Sequence, residues 1–186
     1  LTEDAMDRLV KAVDAVARWK KQRVAVPLVM TRDYIRSSLD VYPIEFLDMK
    51  LQHILVYGED VLEGMAFAPD NLRLQLEREL KGKLLHLRQG YLDVEGKGKA
   101  LRELIRVSLT AFLSAFKALL VLKGREVPLD RSALIAAVSE AYGIDRAVFA
   151  QCLAVREGRD GLADKALPVL FGAYTRDIGL LCEKID

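Results

Sequence analysis

This chain is poor in most of the residues from which chemistry is usually built. Its 186 residues include only two cysteines, two histidines and one tryptophan. Cys152 and Cys182 have no metal-ligand spacing and make no disulfide framework. Both read as small buried apolar groups, consistent with a reducing, cytoplasmic setting. His53 and His86 are too few for a histidine-rich metal site. Neither follows an arginine by four to six residues, so the RNase signature of some helical nucleotide-binding domains is absent. There is no Walker loop, no dinucleotide glycine fingerprint and no His-Glu-x-x-His. No histidine stands beside a serine or cysteine to suggest a nucleophilic triad.

Charge of one sign is lacking too. The 28 basic and 27 acidic residues leave a net charge of +1. No global field would draw in nucleic acid or an acidic membrane, and there is no DNA-binding signature. Long hydrophobic runs are missing as well. The longest, Val107–Leu122, is broken by Lys117 and several hydroxyls and is too short to span a bilayer. The opening Leu-Thr-Glu-Asp-Ala-Met is not a signal peptide, and no membrane partner is expected. It lacks an initiator Met, so the chain is expected to be a piece of a longer protein. No internal repeat or low-complexity tract occurs.

What the chain does have is apolar surface. Hydrophobic residues make up 52%, ample for a core. Most of it is patterned as helix. Thr2 is the expected N-cap of a first helix, with Glu3 and Asp4 in its first turn. Met6, Leu9, Val10, Val13, Val16 and Trp19 form its apolar stripe. Val24–Met30 follows, a β-branched run demoted by Pro27 to an edge strand or a bend. Thr31 can cap a short helix over Arg32–Leu39.

The stretch Tyr42–Gly58 is the one place where β-branched residues, apolar residues and carboxylates combine. Pro43 suits the first residue of a strand, and Ile44–Asp48 is expected to be one. Alternation then sets Glu45 and Leu47 on one face and Ile44, Phe46 and Asp48 on the other. His53–Tyr57 is expected as a second strand, closed by Gly58. The rival is a single helix, since Ile44, Leu47, Leu51, Ile54 and Leu55 also fit a 3.6-residue period. Glu45 is the candidate metal ligand, because a carboxylate facing a cleft suits a hard divalent cation. The competing reading is a solvated edge-strand charge.

Beyond the Gly58, Gly64 and Pro69 punctuation, five helices are expected. The first is capped by Asp70 or Asn71, with Leu72, Leu76, Leu80, Leu84, Leu87 and Tyr91 buried. Gly82 within it would mark close packing. Ala100–Leu122 is the most apolar and should be central. Asp130 caps a helix ending at Gly143, and Asp145 caps Arg146–Arg156. The last, about Leu162–Lys184, should be irregular at Pro168, Gly172 and Gly179.

Three stretches carry a resemblance. They are Val26–Thr31, then Ser38–Met49 with Val56–Asp60, then Leu72–Leu84 with His86–Tyr91. Together they resemble uncharacterised bacterial proteins related to the DNA polymerase β-like nucleotidyltransferase superfamily. The resemblance spans most of residues 20–120. It implies an α+β, predominantly α fold. A small, partial nucleotidyltransferase-like α/β subdomain would occupy residues 1–62, and a C-terminal helical bundle residues 63–186. The family's Gly-Ser turn and Asp-x-Asp strand are absent from this sequence. The resemblance therefore implies transfer or binding of a nucleotide, with Mg²⁺, only together with those missing N-terminal motifs. Glu45 would stand where the third carboxylate does, and the chain alone should be inactive. The alternative is a non-catalytic helical interaction or dimerisation module, whose partner would be a second copy.

Overall fold

The computed structural model describes residues 3–186, with side chains from Asp7 onward. Thr2, the expected cap, lies outside the described residues. Among the described residues eight α-helices follow one another: α1 (Glu3–Lys21), α2 (Arg32–Ser38), α3 (Pro43–Gln52), α4 (Pro69–Asp93), α5 (Gly98–Leu122), α6 (Arg131–Tyr142), α7 (Arg146–Arg156) and α8 (Leu167–Ile185). No strand occurs among the described residues, so the chain is predominantly α. Two compact units divide it, Leu1–Ser37 and Ser38–Asp186. Helix α3 belongs to the larger unit.

In the smaller unit, α1 leaves its apolar stripe largely in solvent. Val10 is 65% and Val13 60% exposed. Thr31 does cap α2, its Oγ1 accepting from the Tyr34 amide at 3.0 Å. Val24–Met30 is not a strand. It has no regular structure and no ladder, and Leu28 is 76% exposed.

The larger unit is a helical bundle organised on α5. This helix packs against α3, α4, α6, α7 and α8. Leu101, Ile105, Leu109, Phe112, Phe116 and Leu120 on it are all fully buried. By length and composition α5 could cross a membrane, but its apolar side chains are the core of this bundle. An aromatic cluster fills the centre. Phe112, Phe149 and Phe171 each meet the Tyr174 ring edge-on, at 5.9, 5.5 and 6.3 Å between centroids. Such edge-to-face pairs add roughly 0.5–1.5 kcal/mol each beyond area burial.

The expected caps are present where the sequence spells them out. Asp130 accepts from the Ala133 amide and Asp145 from the Ala147 amide, both at 2.8 Å. Gly143 closes α6 in the left-handed conformation at φ 63°, which a glycine adopts at no steric cost. Other expectations need correction. Helix α4 starts at Pro69 without a side-chain cap, so neither Asp70 nor Asn71 caps it. A Cβ on Gly82 would meet nothing within 4 Å, so close packing is not its role. Helix α8 is continuous: Pro168 sits in its first turn, where a missing N–H costs nothing. Its start is later than expected because residues 160–164 are fastened to α5. Arg102 donates to the Asp160 and Asp164 carboxylates and to the Leu162 carbonyl.

Candidate functional site

The expected strand Ile44–Asp48 is a helix. The proline read as a strand opener is instead the first residue of α3, a position that suits its fixed φ and missing N–H. Ile44, Leu47 and Leu51 then line one side at helical spacing and pack into the bundle core. Burial on α5 supplies what an isolated strand could not obtain, since a strand needs a neighbour to satisfy its backbone. The second expected strand, His53–Tyr57, is also not one. It starts extended, with His53 at φ −73° and ψ 158°, and makes no ladder.

Glu45 therefore projects from the first turn of a helix. Its Oε2 accepts a hydrogen bond of 2.7 Å from Gln75 Nε2 on α4. The Gln75 Oε1 accepts from the Ile44 amide at 2.8 Å. Helix α3 has no side-chain cap of its own. Buried Gln75 thus caps it from a different helix and anchors Glu45 in the same step.

Glu45, Asp48 and Glu79 line a hollow of about 240 Å³ together with Lys83 and Ser114. Each carboxylate there already has a donor. Gln75 serves Glu45, Lys117 Nζ serves Asp48 at 2.9 Å, and Lys83 serves Glu79. No group of three His, Cys, Asp or Glu able to hold a metal occurs among the described residues. A hard cation wants several free oxygens, so these residues by themselves do not fit Mg²⁺.

Asp48 and Ser114 also border a second, larger cavity of about 520 Å³. Its floor is one face of α5, formed by Thr110, Leu113, Ser114 and Lys117. Its walls come from the end of α3, the start of α6 and the end of α7. Arginines 131, 156 and 159 surround it. The Arg156 Nε donates to Thr110 Oγ1 at 2.8 Å, and that hydroxyl donates to the Arg106 carbonyl at 3.0 Å. This cavity was not anticipated from the sequence. Its one visible signal was Lys117, the sole charge between Arg106 and Lys123 on an otherwise apolar helix.

Between α3 and α4 the chain makes a closed excursion. His53 and Asp60 clasp its base, with Nε2 and Oδ2 2.8 Å apart. The His53 Nδ1 lies 3.1 Å from the Lys50 carbonyl. Both ring nitrogens face acceptors, which suits an imidazolium. The Asp60 hydrogen bond accordingly holds His53 above its ordinary 6.5, and His53 holds Asp60 below its usual 3.8. Asp60 Oδ1 also accepts from the Leu62 amide at 2.9 Å. Beyond this clasp the apolar tip stands in water: Ile54 is 86%, Val56 91% and Tyr57 96% exposed.

The two cysteines are buried free thiols. Burial pushes Cys152 up to about 12, so it is no nucleophile. Fold and site define a helical bundle with a cation-rimmed cavity and a clasped apolar loop. No protein-family model matches the chain, and no curated protein or solved structure is significantly similar to it.

Proposed function

We propose that this chain is the helical part of a nucleotidyltransferase-like protein, and that it supports a nucleotide site rather than carrying out transfer alone. The observation that supports this reading is the state of two β-branched runs. Residues 25–29 and 54–57 hold apolar side chains in water and belong to no helix and no ladder. Exposed backbone outside any ladder is what adds to the edge of a sheet. In this reading both runs become strands against a sheet that contains the Gly-Ser turn and the Asp-x-Asp carboxylates. Mg²⁺ would be held mainly by those carboxylates. Glu45 would offer them its Oε1, since the Gln75 contact occupies Oε2.

Hydrogen exchange tests the proposal. Amides of residues 25–29 and 54–57 should exchange rapidly in the 186-residue chain. They should become protected in a longer polypeptide that carries both motifs upstream. Nucleotidyl transfer from Mg·ATP should be absent from the shorter chain and present in the longer one. Equal, rapid exchange in both would overturn the reading. Titration of the longer protein with Mn²⁺ decides the role of Glu45: equal binding by wild type and Glu45→Gln removes it from the site.

One observation favours the second reading, a non-catalytic dimerising module. Helices α4 and α8 form an open groove of about 730 Å³ over Tyr91, Phe171, Gly172, Thr175 and Gly179. The Thr175 hydroxyl beside it is buried without a partner. A second copy laid in that groove would make a dimer by light scattering, and Gly172→Leu would reduce it to a monomer. A monomeric wild type at all concentrations excludes this reading.

A further inference from the structure

The cavity of about 520 Å³ between α3, α5, α6 and α7 carries more than its shape. Its volume falls in the range of small-molecule sites, roughly 300–1,000 Å³. Its charges do not cancel locally. Asp48 is matched by Lys117, Glu157 by Arg159, and Asp130 by the Ala133 amide that it caps. Two lining arginines have no carboxylate partner among the described residues. Arg156, the last residue of α7, has only the Thr110 hydroxyl on its Nε. That contact orients the guanidinium and leaves its terminal nitrogens uncommitted. Arg131 is the first residue of α6, where the helix dipole disfavours a cation. A cation kept in an unfavourable place, in the same cavity as a second one without an acid, favours an anion there. The lining also has an apolar part, to which Leu113, Leu134 and Leu153 contribute. Ser114 and Ser132 add hydroxyls at the margin.

We propose that this cavity binds a small organic oxyanion, its phosphate or carboxylate head on Arg131 and Arg156 and its apolar body against Leu113, Leu134 and Leu153. A planar guanidinium offers parallel N–H donors to such a head, which an ammonium cannot. Inorganic phosphate alone would leave the apolar side unfilled and should bind more weakly. The inference is independent of the nucleotidyltransferase reading, because it uses none of the missing motifs.

The test is titration of the full 186-residue chain with phenyl phosphate, benzoate and inorganic phosphate, followed by amide NMR. Phenyl phosphate or benzoate should cause saturable shifts at Thr110, Ser114 and Ser132, weakened by added salt. Whichever of the two binds more tightly identifies the head group. Arg131→Ala and Arg156→Ala should each weaken binding about tenfold. Arg156→Lys should recover only part of the loss. If Arg156→Ala fails to fold for want of the Thr110 contact, Arg131→Ala, on an exposed helix start, carries the test. No saturable binding of either organic probe overturns the proposal. Undiminished binding by the arginine variants overturns it equally.

Discussion

Two neighbouring runs of this chain have nearly the same apolar character and opposite fates. Ile44–Leu51 lies in α3, where Ile44, Phe46 and Leu47 are at most 6% exposed. Ile54–Tyr57 begins three residues later, and Val56 and Tyr57 are more than 90% exposed. Hydrophobicity alone does not separate them. Spacing does: the first run repeats its apolar residues at three and four, so one helix side can meet α5. The second run is continuous and short. It has no 3.6-residue stripe to offer and no strand beside it to pair with. Burial rewards a run only where a complementary surface already exists.

The comparison can be broken from its buried side first. Phe112 is fully buried where α5 meets Tyr174, and Phe112→Ala should cost roughly 3–5 kcal/mol by chemical denaturation. An unchanged midpoint would mean that the core lies elsewhere. Leu47→Ala removes a 4%-exposed side chain of α3 and should cost about 2–4 kcal/mol. A negligible loss would show that α3 rests on the bundle without being part of it. Gln75→Ala should cost less, about 1–2 kcal/mol, because it leaves the Ile44 amide without its acceptor. Amide exchange at Ile44 should accelerate in that variant. On the exposed side, Tyr57→Ser should change stability by no more than about 0.5 kcal/mol, since the ring is almost wholly in water. A larger loss in the isolated chain would reveal a cover for the loop tip.

The smallest effect is a pH dependence at the clasp that separates the two runs. Asp60 titrates below its ordinary 3.8, so its contribution is lost as pH falls through that lowered value. His53 titrates above its ordinary 6.5, so its contribution is complete below 6.5 and is lost as pH rises through the raised value. The clasp is therefore fully made between those two ordinary values. In an NMR titration, the His53 midpoint should lie above 6.5, and Asp60→Asn should bring it down. A midpoint that ignores this substitution would mean that the 2.8 Å contact does not persist in solution.

How far the sequence could be read depended on where each signal was stored. Asp130, Gly143 and Asp145 are local signals, and each sits where it was expected. The apolar breadth of α5 announced a central helix, and burial of Leu101 through Leu120 agrees. Pro43 was ambiguous because the same ring suits both the start of a strand and the start of a helix. Gln75 was legible only as a polar residue on the apolar side of α4; its two hydrogen bonds go to residues 31 and 30 positions earlier. Arg131 and Arg156 are 25 positions apart and gave no motif. The fold alone sets them around one cavity.

The sequence by itself determined the helical bundle, its central element and its capped termini, because period, cap residues and glycine stops act over a few neighbouring positions. Only the tertiary structure decided whether Tyr42–Gly58 is helix or strand. The reason is that the backbone of a strand is satisfied by another chain segment, whereas a helix satisfies its own. With α5 available to bury Ile44 and Leu47, and with Gln75 available to meet the Ile44 amide, helix wins for residues 43–52. With no ladder for residues 54–57 to join among the described residues, the same kind of residues remain irregular and wet.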